Sequence, residues 1–416
     1  MESVLAVIKP TDTQKKVFLG TVQAFISTLQ TKLHDAQVIL GGSGAKDTWL
    51  NPTHDADIFV IYDYKKYAEK SAQLSDLLEP VLKKAFPKAV ITRLHGSRDY
   101  FQLAVESITF EVVPILKISK AAEAKNITDI SPLHSAWVNV KAKNLKDEIR
   151  LAKQFAKAAD LYGAESYIAG FSGYVLEIVV VHYGSFVKLL EGATTWKEPH
   201  IIDVEKYYPR KMALFELNQS KLQSPLIVID PVDKSRNAAA ALGKEKFSLF
   251  KARAKAYLKK PSSDFFIVKQ LNFDSLSAET KRAKHHLVFA VIEPLAGKKD
   301  VVGSKLLKVF EQIESSLSPF EIHRKGWEWV APHAVLYFVV KKKELHPHFI
   351  REGPPITMVE FAAEFKKRNR DTFVKEGTLF ARVPYEVRDL GIATKRVFAS
   401  AYVADRVKRV IDLRFS

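Results

Sequence analysis

Asp55 and Asp57 stand one residue apart in DADIFVIY (55–62), at the head of an apolar run. On a β-strand, side chains at i and i+2 share a face, so both carboxylates emerge together. Carboxylates this close repel each other unless a cation lies between them. The hard, oxygen-seeking cation that accompanies phosphate is Mg²⁺. A third acid, Glu111, lies in ITFEVVPIL (108–116), where alternation puts Thr109, Glu111 and Val113 on one face. Burying an unpaired acid is costly. Glu111 is therefore either an edge-strand side chain facing water or a third metal ligand opposite the aspartates. In the second case, three carboxylates around two cations about 3.5–4 Å apart suit in-line attack of a hydroxyl on an α-phosphate. Just upstream, GGSGAK (41–46) supplies the phosphate side of such a site. Gly41, Gly42 and Gly44 let backbone approach phosphate oxygens, Ser43 offers a hydroxyl and Lys46 a point charge. The Walker spacing is absent, and a Gly/Ser turn alone is weak evidence.

The elements that must position these groups follow from periodicity. Val17, Phe18, Val22, Phe25, Ile26, Leu29 and Leu33 have helical spacing across 11–34. AQVIL (36–40) reads as a buried strand leading into the glycine turn, 55–62 as the next strand, and 66–86 as helix. Short strands follow at 89–94, 100–106 and 108–116, closing a mixed α/β domain over 1–140. A helix is expected from Leu145 to Tyr162, with Leu145, Ile149, Ala152, Phe155, Ala156 and Ala159 inward and Arg150, Lys153 and Lys157 on a polar face. One helix over roughly 173–190, apolar nearly all round, should be the buried centre of a helical domain over 141–260. LIVIDPVD (226–233) reads as a strand, with a basic helix from about Asn237. Over 261–416, FFIVKQL, HHLVFAVIE and HAVLYFVVKK alternate with a helix near 302–316, an α+β pattern, and 357–376 reads as a basic helical stretch. The whole is an α+β, multidomain chain.

Composition sets the bounds. A chain of 416 residues exceeds one ordinary core. A hydrophobic share of 47% and a mean hydropathy of −0.09 indicate a globular protein. No apolar run approaches the ~20 residues that span a bilayer, so no membrane partner is expected. The N-terminus lacks the pattern of a secretory leader. Cysteine is absent, which excludes disulfides and thiolate zinc and fits a cytoplasmic location. The net charge of +17 is uneven. Residues 1–60 carry five Lys/Arg against six Asp/Glu, 234–260 nine against one, and 341–416 seventeen against ten. A basic body behind an acid-bearing site suits a polyanion laid along the body with its end in the site, the plain alternative being a solvated basic surface.

The run GGSGAKDTWL-x4-DADIFVIYD resembles the nucleotidyltransferase head of the polymerase β superfamily. With KDTWL (46–50), FEVVPIL (110–116), SPLHSAWV (131–138), LAKQFAKAADLYGAE (151–165), GFSGYVLEIVVVHYGSF (170–186), DPVDKSRNAAAAL (230–242), GPPI (353–356) and EFKKRNRDTFVKEGTLFARVPYEVR (364–388) in order, nearly the whole chain is similar to the class I, archaeal-type CCA-adding tRNA nucleotidyltransferases. The resemblance implies a polymerase β-like head, a central nucleotide-binding domain and a C-terminal tRNA-binding region. It implies CTP, ATP and tRNA (acceptor stem and T-arm) as partners, two Mg²⁺ ions with Mn²⁺ as a substitute, and a homodimer. It makes Asp55, Asp57 and Glu111 catalytic metal ligands. It sets Gly42, Ser43, Lys46, His134, Lys153 and Tyr162 around the triphosphate, and Arg236 at the base edge. The family often has Arg where Lys46 stands, so the charge is kept and the fork geometry lost. Without the resemblance, His134 and Tyr162 would read as packing residues and Arg236 as one cation of a helix start. Lys366, Lys367, Arg368 and Arg370 are candidate tRNA contacts, as are Lys259 and Lys260 at the domain junction. A poly(A) polymerase or oligoadenylate synthetase on the same head, or a non-catalytic RNA-binding protein, are the alternatives.

Overall fold

The computed structural model describes residues 1–52, 55–209, 212–269 and 271–416. The chain divides into two compact units, Met1–Lys269 and Gln270–Ser416. In the first, α1 (Glu2–Ile8) precedes α2 (Asp12–Gln30), whose start is fixed by a capping box between Thr11 and Gln14. Phe18, Val22, Phe25 and Leu29 form the buried stripe of α2. Val17, counted among the apolar positions at helical spacing, is exposed because it lies one position round the helix from that stripe. The helix packs on a five-stranded sheet ordered β1 (Ala36–Leu40), β2 (Asp55–Tyr62), β5 (Ile108–Leu116), β4 (Tyr100–Val105), β3 (Ile91–Leu94). β1 is an edge strand, mostly half-buried rather than buried as expected.

Alternation along β2 and β5 decides where the acids point. Ala56, Ile58, Val60 and Tyr62, with Ile108, Phe110, Val112 and Leu116, enter the apolar cluster beneath the sheet. Asp55, Asp57, Thr109 and Glu111 are thereby left on the opposite face. β2 and β5 run parallel, in a register that sets Asp57 beside Glu111 and Asp55 beside Thr109. β5 lies inside the sheet, between β2 and β4, so the edge-strand alternative for Glu111 is excluded.

The rest of the first unit packs around a second core. It contains α5 (Ser131–Lys141), α6 (Lys146–Lys157), α7 (Gly173–Tyr183), α8 (Phe186–Thr194) and α9 (Lys244–Lys259), α4 being Leu74–Ala85 of the preceding domain. A small sheet of β6 (His200–Ile202), β7 (Leu226–Asp230) and β8 (Asp233–Asn237) completes it. Phe155, Phe186, Phe250 and Trp196 fill this core, and Val4 and Ile8 of α1 join it, a docking that periodicity did not reveal.

Four expectations are corrected here. The GGSG turn folds as a short helix, α3 (Gly42–Lys46), capped by Asp47 in the left-handed conformation. The apolar stretch near 173–190 is two helices meeting at 90°, because Gly184 (φ 81°) ends α7 and the Ser185 hydroxyl caps α8. The region after 233 is a hairpin strand, so Arg236 lies on β8 and the basic helix starts only at Lys244. The polar face expected of α6 is mostly buried, since Arg150 and Lys153 are 1% and 2% exposed and only Lys157 of the three cations is exposed. Among the described residues no single helix is long and apolar enough to cross a membrane.

The second unit has an antiparallel sheet ordered β10 (Ile322–Val330), β11 (His333–Val340), β9 (His286–Pro294), β15 (Val407–Phe415), with α10 (Lys299–Leu317) and α12 (Leu390–Phe398) in its core. A smaller sheet, β12 (His348–Pro355), β14 (Thr378–Pro384), β13 (Thr372–Lys375), accompanies α11 (Val359–Arg368). None of the described residues of FFIVKQL (265–269 and 271) lies in a strand. Phe265 and Phe266 lie on a 3₁₀ turn packed on the first unit's second core. The basic stretch 357–376 is helical only to Arg368 and then enters β13, whose Thr372, Phe373 and Val374 favour a strand.

An alanine at Gly184 meets nothing within 4 Å, so its effect is purely conformational. We expect Gly184→Ala to cost about 1 kcal/mol, because a Cβ disfavours the left-handed region. A melting temperature lowered by about 2–4 °C is the corresponding readout, and an unchanged one contradicts the bend's dependence on glycine.

Candidate active site

The glycine segment reaches the acid face through backbone. The Gly41 N–H donates to the Asp57 carbonyl at 2.7 Å. Gly42 has φ 54°, and a Cβ built there would stand 1.6 Å from Asp57 Oδ2. Only glycine allows main chain so close to that carboxylate. Burial and the neighbouring Asp55 push the Asp57 carboxyl above its usual range, against the opposing pull of Lys46 and Lys153. Gln102 Nε2 donates to Glu111 Oε1 at 3.3 Å. Among the described residues no three His, Asp or Glu side chains close into an ion cage by themselves. The donor set is nonetheless all hard oxygen, aligned by strand register, and holds an acid pair whose mutual repulsion a divalent cation relieves. On those grounds the three carboxylates fit a metal.

Residues 46–50 carry the head onto the second core. Lys46 Nζ donates to Glu177 Oε2 at 2.6 Å, and Lys153 Nζ to Glu177 Oε1 at 2.8 Å. The Thr48 hydroxyl donates to Glu177 Oε1 at 2.7 Å and accepts from Lys153 at 2.9 Å. Glu177 is fully buried on α7. Burial alone would raise its pKa, but Lys153 and Lys46 hold it down at about 2. Arg150 Nη2 donates to the Asp47 carboxylate and carbonyl, each at 2.6 Å, its Nε to the Trp49 carbonyl at 3.1 Å and its Nη1 to Asp147 at 2.7 Å. Trp49 then packs on Phe18 in the head, while Leu50 enters the second core.

A second polar cluster centres on Asp230, fully buried at the end of β7. Its Oδ2 lies 3.0 Å from His134 Nε2 and accepts from Arg236 Nη1 at 2.7 Å. Its Oδ1 accepts from the Tyr174 hydroxyl at 3.1 Å and the Val232 N–H at 3.0 Å. The His134 ring stacks on Tyr174, with centroids 4.1 Å apart. Between the two clusters opens a cleft of about 280 Å³ lined by Gly42, Lys46, Asp57, Ser131, His134 and Tyr174.

The structure thus brings Gly42, Lys46, Asp57 and His134 to one cleft, with Ser43 in the same helical turn as Gly42 and Lys46. Lys153 stands behind Lys46, its ammonium engaged by Thr48 and Glu177. The Tyr162 hydroxyl lies against the start of α7, 2.8 Å from where a Gly173 Cβ would be, and burial pushes its pKa up. Lys366, Lys367 and Arg368 form the exposed last turn of α11 in the second unit, with Arg370 just beyond and Arg368 paired to Glu364. Glu177, Asp230, Thr48 and Tyr174 escaped the sequence reading as site residues, and Arg150 figures in it only as part of a polar helix face. Glu177 was detectable by the argument applied to Glu111, an acid in an otherwise apolar segment.

Because Glu177 titrates lower in the folded chain than its ordinary 4.5, its stabilisation is complete above the unfolded value and lost as pH falls through about 2. We expect Glu177→Gln to flatten the loss of unfolding free energy across that acid window in urea titrations. Parallel slopes in both proteins would contradict the ion network.

Comparison with known proteins gives consistent results. Residues 22–133 match the nucleotidyltransferase domain family, and residues 147–267 match the family described as tRNA nucleotidyltransferase, second domain. The chain is 35% identical to the CCA-adding enzyme of Nanoarchaeum equitans over 366 residues, covering 85% of this chain and 86% of that one. It is 30% identical to the CCA-adding enzyme of Saccharolobus shibatae over 388 residues, with 91% and 87% covered. In fold it is similar to a cytoplasmic RNA terminal U-transferase, with TM-score 0.51 and 15% identity over 65% of this chain and 98% of that one.

Proposed function

The chain belongs to the family of CCA-adding tRNA nucleotidyltransferases, and from that premise we propose how its residues divide the work. It adds C, C and A to the 3′ end of tRNA from CTP and ATP without a nucleic-acid template, releasing pyrophosphate. Enzymes of this family use divalent metal ions. Our reading is two Mg²⁺ ions, with Mn²⁺ as a substitute, held by Asp55, Asp57 and Glu111. Bound there, they would neutralise phosphate charge and favour the alkoxide form of the tRNA 3′-hydroxyl.

The observation that carries the reading is the register of Asp57 with Glu111, with Asp55 on the same face and the Gly42 backbone against Asp57. Asp55, Asp57 and Glu111 face the point where the 3′-oxygen bonds to the α-phosphorus and the hydroxyl proton leaves. The bond from that phosphorus to the pyrophosphate oxygen breaks in the same displacement. Gly42 and Ser43 present backbone and hydroxyl to the phosphates, and Lys46 supplies charge on the cleft wall. His134 contacts the triphosphate from α5. Lys153, one layer back, extends the positive field, and Tyr162 closes the site beside it. Arg236 reads the base edge. The acceptor stem and T-arm would be held by phosphate charge and A-form shape, with Lys366, Lys367, Arg368 and Arg370 as contacts and a homodimer as the assembly.

The test uses the full chain, tRNA lacking its CCA end, CTP, ATP and Mg²⁺, with the product sequenced. We expect C, C, A and then a stop, and we expect Asp57→Asn to abolish addition while tRNA binding persists. An open-ended run of A would overturn the assignment in favour of a poly(A) polymerase. Incorporation by Asp57→Asn at the wild-type rate would sink the metal-ligand reading.

A further inference from the structure

Among the described residues, Arg236 is anchored by one nitrogen. Its Nη1 donates to Asp230 Oδ2 at 2.7 Å and lies 3.4 Å from His134 Nε2. Among the described residues its Nε and Nη2 have no hydrogen-bond partner, and the side chain is 31% exposed. The anchor itself is rigid. Asp230 is fully buried, and its two oxygens are also held by His134, the Tyr174 hydroxyl and the Val232 amide. Those three belong to α5, α7 and the turn after β7, so the guanidinium is referenced to three elements at once.

An arginine offers five N–H donors and no acceptor. Cytosine and adenine each present an unprotonated ring nitrogen on the pairing edge (N3 and N1), beside an exocyclic amine. Uracil and guanine present an N–H there, beside a carbonyl. A donor fixed opposite the ring nitrogen therefore bonds to cytosine or adenine and is left facing another donor with uracil or guanine. Such a mismatch leaves polar groups unpaired, which is how sites built on hydrogen bonds reject near-isosteres. The discrimination needs a fixed donor. A freely rotating arginine can turn toward the carbonyl oxygens of uracil or guanine instead.

We infer that Asp230 is a positioning residue for base selection: it holds the Arg236 guanidinium by one edge so that the remaining donors accept cytosine and adenine and refuse uracil and guanine. The partners of Asp230 keep it ionised against the opposing effect of burial, consistent with a permanent anchor. The same carboxylate also ties the base reader to His134, so base and triphosphate are located against one reference point.

The inference rests on Arg236 reading the base edge, and the experiment separates the two claims. The readout is the ratio of kcat/KM for CMP over UMP incorporation on tRNA lacking CCA, and for AMP over GMP on tRNA ending in CC. A ratio taken on one preparation does not depend on the fraction of folded enzyme, so a general structural role would leave it unchanged. We expect Asp230→Asn to lower both ratios by about tenfold or more. Arg236→Lys should lower them comparably, and the double variant no further than either single one. Asp230→Glu, which keeps the charge but shifts the anchor by a methylene, should fall between wild type and Asp230→Asn and serves if Asp230→Asn is insoluble. Lowered ratios in Arg236→Lys with unchanged ratios in both Asp230 variants would overturn the inference and leave the base-edge reading standing. Unchanged ratios in Arg236→Lys and Arg236→Ala would remove that reading and the inference with it.

Discussion

Glu177 shares its two oxygens among Lys46, Thr48 and Lys153, with every partner buried. Lys46 ends the glycine helix and Thr48 follows it directly, while Lys153 belongs to α6. An ionised carboxylate at this depth is tolerable only because two ammonium groups and a hydroxyl meet it, and each lysine is tolerable only because of the carboxylate. The group is therefore all-or-none, and it joins the domain bearing Asp55, Asp57 and Glu111 to the one bearing Asp230 and Arg236. Arg150 repeats the arrangement beside it, binding the carbonyls of Asp47 and Trp49 from α6. The cleft stands where it does because this joint fixes the two walls against each other.

The sheet face of the site was legible because period-two alternation has no freedom: once Ala56, Ile58 and Val60 are buried, Asp55 and Asp57 must emerge on the other side. Glu111 followed from the same rule in β5. The register of Asp57 with Glu111 was not legible, since pairing between distant strands leaves no local mark. The glycine segment misled for a related reason. GGSG has turn composition, but Gly42 is there for close approach to Asp57, and the segment coils into a helix around that contact.

Lys153 shows where pattern reading inverts. Three cations on one helical face look like a solvated surface, yet two of them, Arg150 and Lys153, are buried because KDTWL brings carbonyls, a hydroxyl and a carboxylate to meet them, and Lys157 alone of the three is exposed. That segment is legible only as part of a family resemblance. Its chemistry shows once both domains are in place. Arg236 is similar: as one of nine cations in 234–260 it carries no distinction, and what singles it out is its bond to a buried aspartate six residues away.

The central claim is that Glu177 locks residues 46–50 to the second core and so assembles one site from two domains. Native-state amide hydrogen exchange on Glu177→Gln tests it most directly, because local openings are read segment by segment. The account predicts that amides of Asp47–Leu50 and of the adjoining turns of α6 and α7 lose protection together and by a common factor, while β2 and β5 keep theirs. Wild-type protection across residues 46–50 in that variant would contradict it.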